Sequence, residues 1–271
     1  MERLQSAIAK ARASRQELTS GPASPAAAPV AVSETVTEAW DALREIPISD
    51  EMLIDNRIVS VGKGSEAIEF DKLRTRVLHR MQGKGWTRLA ITSPGPSCGK
   101  STIALNLGFG LARQEGARVM VIELDMRRPS FRKILGIQNG FDFSRALAGV
   151  AAPEDHLFRP RPNMAIGLTA RVSESAELLQ SGVLADAIDQ IQARYQPTII
   201  IFDLPPFKVS DDTMSFMDKT DSVMIIAAAG QTSIEDLDEC ERELASQTEV
   251  LGVVLNKCRH QGADSQYYYY G

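Results

Sequence analysis

No apolar run in this chain approaches the roughly 18 residues that a membrane-spanning helix needs. The best candidate, DSVMIIAAAG at 221–230, is far shorter and reads as a buried strand. The opening MERLQSAIAKARASR has no apolar core region, so no secretory signal is expected. Cysteine is scarce: Cys98, Cys240 and Cys258 are odd in number and widely spaced, with no C-x-x-C. That pattern indicates neither a disulfide framework nor a zinc site, and it fits a reducing cytoplasm. An excess of basic charge is also missing. With 30 Lys and Arg against 35 Asp and Glu, the net charge is −5 and leaves no electrostatic footprint for nucleic acid. Aromatics make up only 6% of the chain. Of the five tyrosines, four stand consecutively as Tyr267 to Tyr270, and only Tyr195 lies elsewhere.

What is present has a clear order along the chain. Residues 1–18 read as a short, mildly basic helix, with Leu4, Ile8, Ala11 and Leu18 near one face. Residues 19–37, rich in Pro, Ala and Ser and without periodicity, read as a disordered linker. A single domain is expected over 38–260, with its core from about residue 66. It opens with a helix carrying Ile68, Leu73, Val77 and Met81. From Thr87 onward β and α patterns alternate. Strands are expected at RLAITS, ARVMVIELD, PTIIIFDLPP, DSVMIIAAAG and VLGVVLNK, with helices between them. Continuous Val- and Ile-rich strands alternating with helices predict an α/β fold whose mostly parallel central sheet is covered on both faces. Residues 261–271 read as a flexible tyrosine-rich tail.

The chemistry sits where the first of these strands runs into a helix. SPGPSCGKST at 93–102 ends in Gly99, Lys100, Ser101 and Thr102, the tail of a phosphate-binding loop. Its backbone N–H groups would wrap phosphates, Lys100 would neutralise β/γ charge, and Ser101 would hold Mg²⁺. Pro94 stands where the strict pattern has glycine. Glu123 and Asp125 close the second strand and Asp203 closes the third. In a parallel sheet these carboxyl-end acids converge on the loop, and hard carboxylate oxygens beside a phosphate suit Mg²⁺. Cys98, at a helix N-terminus, is a candidate for a reactive, oxidisable thiol.

Together, ITSPGPSCGKSTIALNLGFGLA, VMVIELDMRRPS, AELLQSG, IIIFDLPPFKVSDD and VLGVVLNK resemble the bacterial tyrosine kinases of capsule and exopolysaccharide synthesis, in their soluble P-loop form. The likeness runs from about residue 66 to the end and includes a terminal tyrosine cluster. It implies an autophosphorylating protein-tyrosine kinase using ATP and Mg²⁺. Pro96, Ser97, Cys98, Gly99, Lys100, Ser101 and Thr102 would form the nucleotide loop. Asn256 would lie near the adenine. Lys100, Glu123, Asp125 and Asp203 would be catalytic, with Ser101, Asp125 and Asp203 around the metal. Tyr267, Tyr268, Tyr269 and Tyr270 would take the phosphate.

The resemblance further implies a cytoplasmic protein recruited to the inner face of the membrane by a polysaccharide co-polymerase with a cytoplasmic tail. A cognate tyrosine phosphatase and self-association are also implied. This chain departs from the pattern at Glu123, where the family has aspartate, and at Ser97, where it commonly has glycine. In the family's oligomerisation helix only Arg74 matches, with Ile68 and Asp71 at the two preceding motif places. Two other classes compete. One is a partition- or division-type ATPase switch, whose signature lysine would fall on Gly95. The other is a nucleotide-binding regulatory subunit without kinase activity. Several phosphates on adjacent tail residues are expected to repel Asp125 and Asp203 and drive the tail from the site.

Overall fold

The computed structural model describes residues 34–138, 140–172, 175–209 and 211–258. The helix expected over 1–18, the linker before Glu34 and the tail at 261–271 with its four tyrosines lie outside the described residues.

Eight strands form one sheet: β1 (Arg44–Glu45), β2 (Arg88–Thr92), β3 (Val119–Glu123), β4 (Leu157–Arg161), β5 (Met164–Gly167), β6 (Ile199–Asp203), β7 (Ser222–Ala228) and β8 (Glu249–Asn256). Their order is β1-β4-β5-β3-β6-β2-β7-β8. Every neighbouring pair is parallel except the β4–β5 hairpin. The five strands expected from the sequence are all present. The three missed are the two-residue β1, the polar and proline-bearing β4 (LFRPR) and the short β5 (MAIG).

The central strands are buried on both sides and feed two separate hydrophobic clusters by alternation. Leu89, Ile91, Val119, Val121, Ile199, Ile201, Met224 and Ile226 enter one cluster. Ala90, Met120, Ile122, Ile200, Phe202, Val223 and Ile225 enter the other. This period of two is what a pleated strand imposes, and apolar residues at both parities are what a sheet covered on both faces requires.

Helices α1 (Glu34–Asp41), α2 (Ser65–Lys84), α3 (Lys100–Ala112), α4 (Gly182–Tyr195) and α5 (Ile234–Ala245) cover the two faces. Val77 and Met81 of α2, with Leu107 and Phe109 of α3, pack into the first cluster. Trp40 of α1, Ile188 and Ile191 of α4, and Cys240 and Leu244 of α5 pack into the second. Helix α3 lies so close to β3 that a Cβ on Gly108 would come within 2.5 Å of Val121 Cγ2. The segment expected as linker gives way to helix by Glu34, because Val36 and Trp40 have the sheet face to bury against. Trp40 Nε1 donates to the Tyr195 carbonyl at 2.8 Å, and its ring meets Tyr195 edge-on.

The arrangement sets the site. β2 lies between β6 and β7, so the chain leaving β2 enters a crevice at the carboxyl rim, where ligands bind in open α/β sheets. The register carries Glu123 and Asp203 to the same rim as lateral neighbours.

Candidate active site

The loop between β2 and α3 is shaped by two left-handed residues, Ser97 at φ 61° and Gly99 at φ 95°. Glycine is required at the second: a Cβ there would lie 2.3 Å from Asn256 Nδ2. Ser97 adopts the same region with a side chain, a conformation uncommon outside glycine. The loop is tied to the segment after β6 by backbone bonds from Phe207 N to Ser93 O (2.8 Å) and from Lys208 N to Pro94 O (3.1 Å). Thr92 Oγ1 also donates to Pro205 O at 2.7 Å.

A cavity of about 840 Å³ opens over this loop. Pro96, Ser97, Gly99, Lys100, Ser101, Thr102 and Asp125 line it, so seven of the expected site residues meet at one place. Lys100 is 6% exposed, and its Nζ faces Asp125 Oδ2 at 3.6 Å. Burial raises the Asp125 carboxyl above the usual range, while Lys100 and the Arg128 N–H, at 3.1 Å from Oδ1, hold it down.

Cys98, Glu123, Asp203 and Asn256 are not on the cavity wall. Asn256 was expected beside the base of a nucleotide. Its Nδ2 instead donates to Cys98 O at 2.8 Å and its Oδ1 accepts from Lys257 N, so the amide braces the loop from behind. The Cys98 thiol is 3% exposed and turned to Gly95 O at 3.3 Å, which removes it from solvent and from the reactive role expected of it. Burial pushes the Cys240 thiol up to about 12, whereas Cys258 is exposed. A thiol reagent applied to the native chain should therefore label Cys258, with Cys98 and Cys240 following only on unfolding. Mass spectrometry of the labelled protein reads this directly, and rapid native labelling of Cys98 would refute it.

Glu123 requires the largest correction. Expected as a catalytic acid or base, it is fully buried and its carboxylate is committed to backbone. Oε1 accepts from Ser130 N at 2.5 Å and Phe131 N at 2.7 Å, and Oε2 accepts from Thr169 N at 3.2 Å. It thus fixes the loops after β3 and β5 to each other. Burial pushes it up to about 7, against those three donors and with a contribution from Asp125. Glu123→Gln should behave as a stability mutant. Its amide N–H would confront the Thr169 N–H, costing about 1–3 kcal/mol for the buried mismatch. The urea midpoint should fall while nucleotide affinity of the folded fraction is kept. A loss of activity at unchanged stability would restore Glu123 to the chemistry.

Asp203 is fully buried, and neither of its oxygens meets a donor in hydrogen-bond geometry. Burial pushes it up to about 7, while Lys100 and the Ser101 hydroxyl act on it electrostatically in the opposite sense. An orphaned buried carboxylate beneath Ser101 and a phosphate-shaped loop fits Mg²⁺, which takes one or two carboxylates and completes its shell with phosphate and water. Nucleotide and Mg²⁺ would therefore be held by Lys100, Ser101, Asp125 and Asp203 together with the loop backbone.

Three cavity-lining cations had escaped the sequence reading: Arg127, Arg128 and Arg171. The first two stand in the motif ELDMRRP itself, two and three residues after Asp125. Arg127 is tied to the buried Asp212 through Nε–Oδ2 at 3.1 Å and Nη2–Oδ1 at 3.0 Å, and Asp212 also accepts from the Ser175 hydroxyl.

Comparison with known proteins agrees with this fold. The chain is 26% identical over 212 residues to the tyrosine-protein kinase YwqD of Bacillus subtilis, covering 77% of this chain and 88% of the relative. The kinase domain of the Escherichia coli tyrosine kinase ETK superposes with a TM-score of 0.69 at 21% identity, over 84% of this chain and 93% of that one. Cobyrinic acid a,c-diamide synthase from Mycobacterium smegmatis, solved with a bound ATP analog and magnesium, shares the fold at a TM-score of 0.52 and 17% identity, over 63% of this chain and 74% of that one. Residues 87–270 match the profile of the ParA family, described as NUBPL iron-transfer P-loop NTPase. The phosphate loop at the carboxyl end of β2, the acids on the neighbouring strands and this match make the chain a member of the ParA family of P-loop NTPases, similar within it to bacterial tyrosine-protein kinases.

Proposed function

We propose that this protein is an ATP-dependent protein-tyrosine kinase that phosphorylates its own Tyr267 to Tyr270 and serves exopolysaccharide or capsule synthesis. The observation that carries the reading is the convergence of Lys100, Ser101 and Asp125 on one cavity, with the unpartnered Asp203 beneath it. The partition-type switch is not favoured, because Gly95 stands where its signature lysine would be.

In the reaction, the loop N–H groups and Lys100 hold the β- and γ-phosphates, so that catalysis is positioning and charge neutralisation. Mg²⁺, when bound, offsets the negative charge of the phosphates. Ser101 and Asp203 would be its side-chain holders, with Asp125 beside them. The phenolic oxygen of an incoming tyrosine forms a bond to the γ-phosphorus as the bond to the β–γ bridging oxygen breaks. The electron pair of that bond leaves on ADP. The phenol proton passes to Asp125, the carboxylate on the cavity wall, in place of the buried and engaged Glu123.

Tyr195 does not compete as acceptor. It is fully buried, its hydroxyl is enclosed without a partner, and burial pushes its pKa up to about 12. No helix among the described residues is long and apolar enough to cross a membrane. A membrane co-polymerase with a cytoplasmic tail is accordingly proposed as the activator, with a tyrosine phosphatase as the opposing enzyme. Self-association would use a surface other than the family's motif, since Arg74 is spent within the chain on Asp71 (2.9 Å) and Gly110 O (3.2 Å). A phosphotyrosine blot of the purified chain with ATP and Mg²⁺, with and without the activator tail, tests the proposal. Absence of signal in both lanes would favour the regulatory-subunit class.

A further inference from the structure

Resting on that reading, we infer that the cavity contains an acceptor subsite, built on Arg128 and Arg171, that prefers a tyrosine whose neighbour already carries a phosphate. Phosphorylation of the tail would then be self-priming.

The cavity, at about 840 Å³, lies near the top of the range of roughly 300–1,000 Å³ spanned by small-ligand pockets. Part of the lining is the phosphate loop; Ile134, Val172, Pro206 and Val209 add apolar surface suited to a phenyl ring, and Arg127, Arg128 and Arg171 add positive charge. Four basic side chains thus line the cavity (Lys100, Arg127, Arg128, Arg171) against one acidic side chain, Asp125. Two of the four are engaged, Lys100 with Asp125 and Arg127 with Asp212. Arg128 and Arg171 are exposed and form no ion pair with a side chain among the described residues.

Two uncommitted guanidinium groups in a cavity with apolar lining match a particular chemistry. Arginine takes phosphate bidentately, and a phosphotyrosine presents about −1.5 to −2 charges with strong acceptor oxygens. An unmodified tyrosine offers these arginines nothing but a neutral phenol. The acceptor the cavity fits best is therefore a phenol for the reacting position with a phosphate close along the same chain. Four consecutive tyrosines supply that as soon as one has been modified. The expected repulsion of a phosphorylated tail by Asp125 and Asp203 is thus reversed for the first phosphate. Asp203 is off the cavity wall, and the lining is predominantly basic.

The test is binding, which needs no turnover and is therefore independent of whether the chain transfers phosphate. Fluorescent peptides of residues 263–271, with or without a phosphate on one tyrosine, are titrated with the full chain in Mg²⁺ and ADP. The phosphorylated peptide should bind about tenfold more tightly, as for one or two added charge-assisted hydrogen bonds. That ratio should fall to about twofold in Arg128→Ala or Arg171→Ala, and to an intermediate value in Arg171→Lys, which keeps charge without the fork. Equal affinities of the two peptides for the wild-type chain overturn the inference. It is overturned equally if the arginine variants leave the ratio intact and weaken ADP instead, because the arginines would then serve the nucleotide. Failure of the phosphotyrosine blot with a tenfold peptide ratio would sink the kinase reading and leave a phosphotyrosine-binding site.

Discussion

Lys100→Met is expected to abolish phosphoryl transfer while leaving a folded protein. The ammonium is the only lysine on the cavity wall among the described residues, and it starts α3, directly beneath the loop that would hold the phosphates. Loss of one preorganised charge at a developing anion costs about 10²–10³-fold in rate, and a loop lysine that also holds the ground-state phosphates lies at or beyond that range. The fold should survive for two reasons. Methionine fills the apolar stem of a side chain that is only 6% exposed. Asp125 and Asp203, both raised by burial, can take up protons when the cation is removed. The measurement is self-labelling with ATP carrying a radioactive γ-phosphate, beside a urea melt. A variant that labels like the wild type would place the chemistry somewhere other than this cavity.

The second large effect is expected from the tail. Changing Tyr267, Tyr268, Tyr269 and Tyr270 together to phenylalanine should remove nearly all phosphate incorporated by the chain into itself. Burial removes the alternative acceptor from reach. The one other tyrosine, Tyr195, ends α4 under Trp40, with its hydroxyl sealed in the second cluster. Exposing it would require unpacking that cluster. The variant should keep nucleotide binding, since the changed residues lie more than ten positions beyond Asn256. Mass spectrometry after incubation with ATP and Mg²⁺ decides the matter. Phosphate on Tyr195, serine or threonine in the wild type, with normal labelling of the variant, would refute the assignment.

Much of this architecture was legible because its signals are redundant. β2, β3, β6, β7 and β8 announce themselves as Val- and Ile-rich runs closed by polar residues, and the Gly-Lys-Ser-Thr tail falls between a strand and a helix. β1 and β4 were not legible. Two residues carry no periodicity, and Pro160 between Arg159 and Arg161 argues against a strand until the antiparallel partner β5 is seen. The site was readable in its membership and less so in its orientation. Spacing placed Glu123 two residues before Asp125 at a strand end. The opposite outcomes follow from the chain after β3. Glu123 is still in the strand and pleats inward onto the N–H groups of Ser130, Phe131 and Thr169, while Asp125 lies past its end on the cavity wall. Arg171 was invisible for another reason: it follows β5 in a stretch with no pattern of its own, and only the sheet order brings β5 beside β3.

The alternation of strand residues between the two clusters has a consequence for how such a site can change over evolution. In β6, Ile199, Ile201 and Asp203 share one parity, and Ile200 and Phe202 the other. The acid is therefore addressed by an odd–even count as much as by its chemistry. A substitution at Ile200 perturbs packing on one face only. A single-residue insertion or deletion between Ile199 and Asp203 would keep the composition of the strand, yet it would turn the carboxylate to the opposite face and exchange the two cores. Length in these strands is thus held more tightly than identity. Lineages descending from this chain should tolerate many apolar replacements in β2, β3 and β6, and should take their insertions in the connections.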